Sequence, residues 1–486
     1  MEASKKKMKF PSAFSILFII LLIAIGLTWL IPSGSYSKLS YDTTENHFIV
    51  KTHGIPDQSY PATEQTLNQL NIKIQLSNFT NGIIKKPIAI PNTYQRIEQH
   101  EKGITDMIHA MVDGTIEVAD IMIFIFILGG MIGVINKTGA FNAGLMSLTK
   151  KTKGNEFSVV FAVCVLMLLG GTACGIEEEA VAFYPILVPV FLALGYDSIV
   201  CVGAIFLAAS MGTAFSTINP FSVVIASNAA GISFTEGMGF RTLGLILGGA
   251  CVIAYMYWYC KKLRANPEFS YTYDDRQAFY DLYMKDIDPN ATVEFTFRRK
   301  LILILFSGAF PLMVWGVMFG GWWFPQMATS FLAITIIIMF ISGLPEKDVV
   351  NGFTHGASEL VGVALIIGLA RAVNIILEQG MISDTILDYM THLVDGMNGG
   401  VFIIGQLLIF IFLGLVVPSS SGLAVLAMPI MAPLADTVGI PRDIVVSAYN
   451  WGQYIMLFLA PTGLVLVTLQ MLGIPFNKWL KFVMPV

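Results

Sequence analysis

The chain has 486 residues, 55% of them hydrophobic and only 13% charged, with a mean hydropathy of +0.70. A soluble protein carries about twice that charged fraction, so a soluble globular domain is excluded, and a formal net charge of −4 is too small to define a partner. Several apolar runs reach the ~20 residues that a helix needs to cross a bilayer. The class expected is an all-α polytopic membrane protein whose first partner is the lipid bilayer. The five cysteines, Cys164, Cys174, Cys201, Cys251 and Cys260, lie in or beside apolar segments without a CxxC spacing. That distribution argues against a disulfide framework or a zinc site.

In chain order, Lys5, Lys6, Lys7 and Lys9 precede an apolar run at 10–32. The run is too long for a signal-peptide core and lacks a small-residue cleavage site, so residues 1–32 read as a cytoplasmic tail and an uncleaved first helix. Residues 33–103 read as a polar extracytoplasmic loop in which IVKT and IKIQL suggest short strands. A first unit follows at 104–260. Its span near 118–136 leads to Lys137, Lys150, Lys151 and Lys153 on the inside, and GGTACGIEEEAVAFYP (170–185) interrupts an apolar stretch at 157–194. A crossing at 198–228 and a return at 241–260 complete the unit. Residues 261–300 form a cytoplasmic linker, 301–343 hold two connecting helices, and 344–486 form a second unit. That unit has a span at 358–378, an interrupted stretch at 400–438 and a long segment at 443–472.

The two units echo each other. HAMVDGTIE (109–117) and GFTHGASEL (352–360) share a Gly-x-x-Glu core, PILVPVFLALGY (185–196) matches PIMAPLADTVGI (429–440), and GISF (231–234) matches GIPF (473–476), all near one offset. Successive matches in order indicate duplication. The span count makes the repeats inverted, an arrangement common in secondary transporters. After GIPF the second repeat reaches only NKWLKFVMPV, so the expectation is either that it has no counterpart to the helix at 241–260 or that the chain is truncated.

Each interrupted stretch, 157–194 and 400–438, has the length of two half-helices and reads as a re-entrant hairpin. Small residues at the tips would let the two arms approach closely. Non-helical backbone at membrane depth is tolerated only where protein or a water-filled cavity covers it. The prolines of FSTINPFS (215–222) and FLAPTG (458–463) break the segments that follow. Two tips and two breaks, related by inversion, would enclose one site. Thr172, Cys174, Gly175, Glu178, Glu179, Thr217, Asn219, Ser419, Ser420, Ser421, Thr462, Gly463 and Arg371 are its candidate substrate ligands. Glu177, Glu178, Glu179 and Asn219 are candidates for ion coupling. Arg371 could instead pair with Glu378. Tyr449, Asn450, Trp451 and Gln453 suit helix contacts, His355 and Glu359 a solvated helix start, and Gly129, Gly130 and Gly133 helix packing.

GGTACGIEEEAVAFYPILVPVFLALGYDS, STINPFS and PSSSGLAVLAMPIMAPLAD resemble the anaerobic C4-dicarboxylate carrier family of the ion transporter superfamily. The resemblance is strongest to its branch labelled YfcC or arginine/ornithine antiporter-like. It covers most of 104–486 and is weak over 33–103. It implies an inverted-repeat transporter with two opposed hairpins, a homodimer, and elevator-type alternating access in a bacterial inner membrane. Dicarboxylate carriers of the superfamily typically show Ser-Asn-Thr at the tips, whereas this chain has Thr-Ala-Cys-Gly (172–175) and Ser-Ser-Ser (419–421).

Acidic residues at the first tip favour a small substrate bearing positive charge, with arginine/ornithine exchange preferred. The alternative is a C4-dicarboxylate coupled to H+ or Na+ held by the glutamates. No other cofactor is called for. An intramembrane enzyme is disfavoured, because HExxH and GxGD pairs are absent and PSSSG has no histidine partner in a span. The duplication argues against a channel, and no nucleic-acid motif occurs.

Overall fold

A computed structural model describes residues 12–81, 84, 86–176, 179–283, 294–320, 322–394, 396–417, 419–461 and 463–486. Among them, nine helices are long and apolar enough to cross a membrane. Helix Ala13–Leu30 shows how such a segment divides its faces. Leu17, Leu21, Ala24 and Thr28 recur at three- and four-residue spacing and are buried, whereas Ile19 and Ile23 point outward. Ser12 caps its start, its hydroxyl accepting the Ser15 N–H at 3.3 Å. Outward leucine, isoleucine and phenylalanine recur on the other spans, with Phe340 85% exposed. Such a surface is stable only against an apolar solvent.

Two helix pairs, each interrupted at a single residue, form a frame. Helix Ile104–Glu117 meets Ala119–Thr138 at Val118, and Glu346–Glu359 meets Val361–Gln379 at Leu360. The pairs pack antiparallel along a line of glycines: Gly114 lies on Gly368 and Ala372, Gly129 on Gly356, and Gly133 on Gly352. A Cβ on Gly133 would stand 2.1 Å from the Gly352 carbonyl oxygen, so the two backbones touch. Helices Ala13–Leu30 and Phe324–Ser342 pack on this frame.

A second set of helices holds the interrupted segments. Helix Phe157–Cys174 ends at Gly175, whose φ of 67° is left-handed. A short 3-10 turn, Glu179–Phe183, and helix Tyr184–Ala193 follow. The close approach made possible by small residues is not between these arms. Gly171 instead lies against Ala209 and Thr213 of helix Ala208–Ala214, and Gly212 against Leu168. The later segment repeats this choice. Helix Gly399–Val416 packs on Arg442–Leu459, with Gly414 on Gln453 and Gly452 on Leu407. Both proline sites are breaks: helix Ala208–Ala214 stops before Pro220, and Arg442–Leu459 stops at Ala460 before Gly463–Met471.

Residues 33–97 depart from the helical class. Strands β1 (Gly34–Ser35), β2 (Lys38–Asp42), β3 (His47–Lys51), β4 (Gln58–Pro61), β5 (Ile88–Ala89) and β6 (Gln95–Arg96) form a sheet ordered β4-β3-β2-β5 and a separate β1-β6 pair, all antiparallel. IVKT enters β3. IKIQL is no strand: Ile72 and Ile74 are buried in irregular chain, and Leu76 opens helix Leu76–Thr80. Leu39, Phe48, Phe79 and Ile88 form this subdomain's own core, joined by Val425 from helix Ser420–Thr437. At the far end of the chain, Lys478 pairs with Asp275 of the linker at 2.6 Å.

Candidate functional site: two interrupted helices and a charged cavity

The first tip is sewn to the first break. The Thr172 hydroxyl accepts the Thr217 N–H at 3.1 Å and lies 3.3 Å from the Thr217 hydroxyl. Asn219 is fully buried; its Oδ1 accepts the Phe221 N–H at 2.9 Å and its Nδ2 donates to the Gly171 carbonyl at 3.3 Å. It thereby caps the half-helix that Pro220 begins. Gly175 leaves room for this amide, since a Cβ there would stand 2.6 Å from Asn219 Nδ2. Thr172, Gly175, Thr217 and Asn219 are thus one cluster. Cys174 closes its helix and Glu179 opens the 3-10 turn. Glu177 and Glu178 lie outside the described residues.

At the second tip, Ser419 Oγ accepts the Gly422 N–H at 3.2 Å, and the Ser420 carbonyl accepts the Tyr449 hydroxyl at 2.5 Å. Ser421 Oγ takes a hydrogen bond from Lys86 Nζ at 2.9 Å. Asn450, next to Tyr449, donates to Ser216 Oγ at 3.2 Å. One turn of helix Arg442–Leu459 therefore touches both the second tip and the first break. Asn450 Oδ1 and Gln453 Oε1 are buried there without a hydrogen-bond partner among the described residues. Trp451 meets Phe215 edge-on and Phe240 at a tilt. Thr462 lies outside the described residues; Gly463 opens its half-helix. His355 and Glu359 form an exposed pair at 3.5 Å.

A cavity of about 500 Å³ opens between the second tip, helix Val361–Gln379 and the β subdomain. Its lining includes Lys38, Lys86, Glu117, Arg371, Glu378 and Asp384, together with Asn374 and Ser419. Arg371 meets Glu117 at 2.7 Å and Glu378 at 3.0 Å. Lys38 stands 3.8 Å from Asp384, whose Oδ2 also accepts the Tyr36 N–H at 3.0 Å. Burial pushes the Asp384 carboxyl up, against Lys38 and the Tyr36 N–H. Desolvation pushes the Lys86 ammonium down, as does nearby Arg371, while Glu378 opposes them. The structure brings Arg371 and Ser419 to one cavity and leaves the Thr172–Asn219 cluster outside its lining.

Sequence reasoning missed Lys38, Lys86, Glu117 and Asp384 as cavity residues. Glu117 was the one with a signal, as the acid of the repeated Gly-x-x-Glu core. The lysines sit in a segment without helical periodicity and face partners more than 300 residues away.

Apolar spans, helices broken beside buried polar side chains and a charged cavity of metabolite size define a multi-pass membrane protein with an internal polar site. The chain belongs to the C4-dicarboxylate anaerobic carrier family, whose model matches residues 10–486. It is therefore a member of a membrane transporter family. It is 77% identical to an uncharacterized protein of Haemophilus influenzae (strain ATCC 51907 / DSM 11121 / KW20 / Rd), over 100% of this chain and 96% of that one. It is 28% identical to a protein of Escherichia coli (strain K12) provisionally named basic amino acid antiporter YfcC, over 97% of this chain and 92% of that one. Among solved structures, the Neisseria gonorrhoeae efflux pump MtrF aligns over 98% of this chain and 94% of its own at 15% identity, with a TM-score of 0.34. The Alcanivorax borkumensis YdaH transporter aligns over 98% and 92% at 12% identity, with a TM-score of 0.36. Scores this low carry no argument, and the assignment rests on the family match.

Proposed function

We propose that the protein is a secondary transporter that exchanges basic amino acids, arginine against ornithine, across a bacterial inner membrane with its N-terminus in the cytoplasm. The observation that carries this reading is the cavity of about 500 Å³ lined by three cationic and three acidic side chains. A basic amino acid bears two positive groups and one carboxylate, and such a lining can meet all three. The provisional name of the Escherichia coli relative points the same way. The glutamates of the first tip would receive the side-chain cation in the opposite state of the carrier.

The antiparallel glycine-lined frame supports inverted repeats. The division of helices into a frame and a set holding the tips and breaks supports an elevator-type movement of one against the other. The dicarboxylate alternative draws on the family description and on the three cations of the cavity. In that reading H+ or Na+ on the first-tip glutamates balances charge.

Counterflow in proteoliposomes loaded with unlabelled ornithine separates the two. Labelled arginine is expected to accumulate, and to stop accumulating with Glu178→Gln or Glu179→Gln. Succinate exchange without arginine uptake would overturn the basic amino-acid reading.

A further inference from the structure

We propose that Lys86, carried by the β subdomain, is a substrate contact that binds a carboxylate at the second tip. Segment 33–103 then supplies part of the binding site and does not merely cover it. This rests on the reading of the cavity as a substrate site.

The charges of the cavity are unequally engaged. Arg371 is held between Glu117 and Glu378, and Lys38 faces Asp384. Lys86 has no carboxylate within ion-pair distance among the described residues, and its one hydrogen bond goes to Ser421 Oγ. An ammonium carries three donors, so two remain for the cavity that Lys86 lines. An ammonium with spare donors at the cavity wall favours an anionic partner, and charge-assisted bonds of this kind are about twice as strong as neutral ones. Ser419 lines the same wall and adds a hydroxyl.

The position of Lys86 is built rather than incidental. Strand β5 begins two residues later at Ile88 and pairs with β2, where Lys38 stands opposite Ala89. Adjacent strands therefore deliver both lysines to one cavity. The subdomain is fixed to helix Ser420–Thr437 near the second tip by Val425 in its core, and at the far end of the same helix by the Lys73–Asp436 pair at 3.4 Å. A carboxylate is common to an amino acid and a dicarboxylate, so the contact serves either substrate.

The test uses the full-length protein and measures ligand affinity by thermal shift in detergent and KM in proteoliposomes. The ligands are arginine, agmatine (arginine without its carboxylate) and succinate. The variants are Lys86→Met, Lys86→Arg and Lys73→Met, the last loosening the docking outside the cavity. Lys86→Met is expected to weaken arginine about tenfold and to leave agmatine unchanged. Lys86→Arg should restore most of the loss, and Lys73→Met should change neither ligand. Unchanged arginine affinity in Lys86→Met would overturn the proposal. So would equal losses for arginine and agmatine, or a loss reproduced by Lys73→Met, because a docking role alone predicts both. If the wild-type protein binds succinate and not arginine, the basic amino-acid reading fails while Lys86 is judged on succinate by the same criteria. Binding of none of the three overturns both.

Discussion

Gly175 and Asn219 show how one residue's absence of a side chain fixes another's place. The left-handed φ of 67° at Gly175 costs an L-residue about 1–2 kcal/mol, and a Cβ would stand 2.6 Å from Asn219 Nδ2. Gly175→Ala is therefore expected to lower thermal stability and to reduce transport by more than the folded fraction lost, since Asn219 must leave the Gly171 carbonyl. Wild-type transport in the folded fraction would contradict this. Asp197 makes a pH prediction. Its carboxylate caps helix Ser198–Val202 and accepts the Tyr259 and Ser270 hydroxyls, yet burial pushes its pKa up. With the folded value above the unfolded value of about 3.9, the stabilising contribution is complete below about pH 4 and is lost as pH rises through the folded value. Asp197→Asn should lack this slope, so the melting temperature of the wild type should fall relative to the variant between pH 4 and neutrality; parallel curves would refute it. Much at this scale was legible. Asn219-Pro220 announces a capped break because proline at a helix start has no N–H to satisfy and the preceding amide oxygen can accept the next one. Lys86 was not legible, because nothing local distinguishes a lysine that meets a serine 335 residues away.

Among elements, the glycine-lined crossing sets the strictest condition. Gly133 and Gly356 would each place a Cβ 2.1 Å from a carbonyl oxygen of the other helix. Gly133→Val or Gly356→Val should cost at least the 1–3 kcal/mol or so of ordinary overpacking, because backbone cannot step aside as a side chain can. The expected readout is a lower melting temperature and aggregation on size-exclusion chromatography; an unchanged melting temperature would show that the helices can separate freely. The prolines made the two breaks readable, and long apolar runs made the spans readable. The interruptions at Val118 and Leu360 were not read, because neither residue is a proline or glycine and nothing local marks the break. The glycines of the first tip were read as spacers between hairpin arms. Their actual neighbours, Ala209 and Thr213, come from a helix whose position only the tertiary structure specifies.

For the whole molecule, the β subdomain is the tie between the two helix sets. Gln99 Nε2 donates to the Thr28 and Ile31 carbonyls at the end of the first helix, while Lys86 and Lys73 hold the start and the end of helix Ser420–Thr437. If the tip travels against the frame, this tie must open or stretch. A protein freed of its five native cysteines and carrying Lys73→Cys and Asp436→Cys is expected to lose, once joined by a short bismaleimide, the transport it shows before joining, whereas the reagent should not change the transport of either single-cysteine variant. Full transport in the joined protein would mean that tip and subdomain move as one. The same tie bears on biogenesis. Lys86 leaves the ribosome 335 residues ahead of Ser421, a wait of roughly 15–70 s at 5–20 residues per second. Through that interval Leu39, Phe48, Phe79 and Ile88 must hold a sheet whose last core member, Val425, has not been synthesised. The packing of those residues among themselves is thus a requirement of assembly, and substitutions there should reduce the yield of finished transporter more than the activity of the molecules that mature.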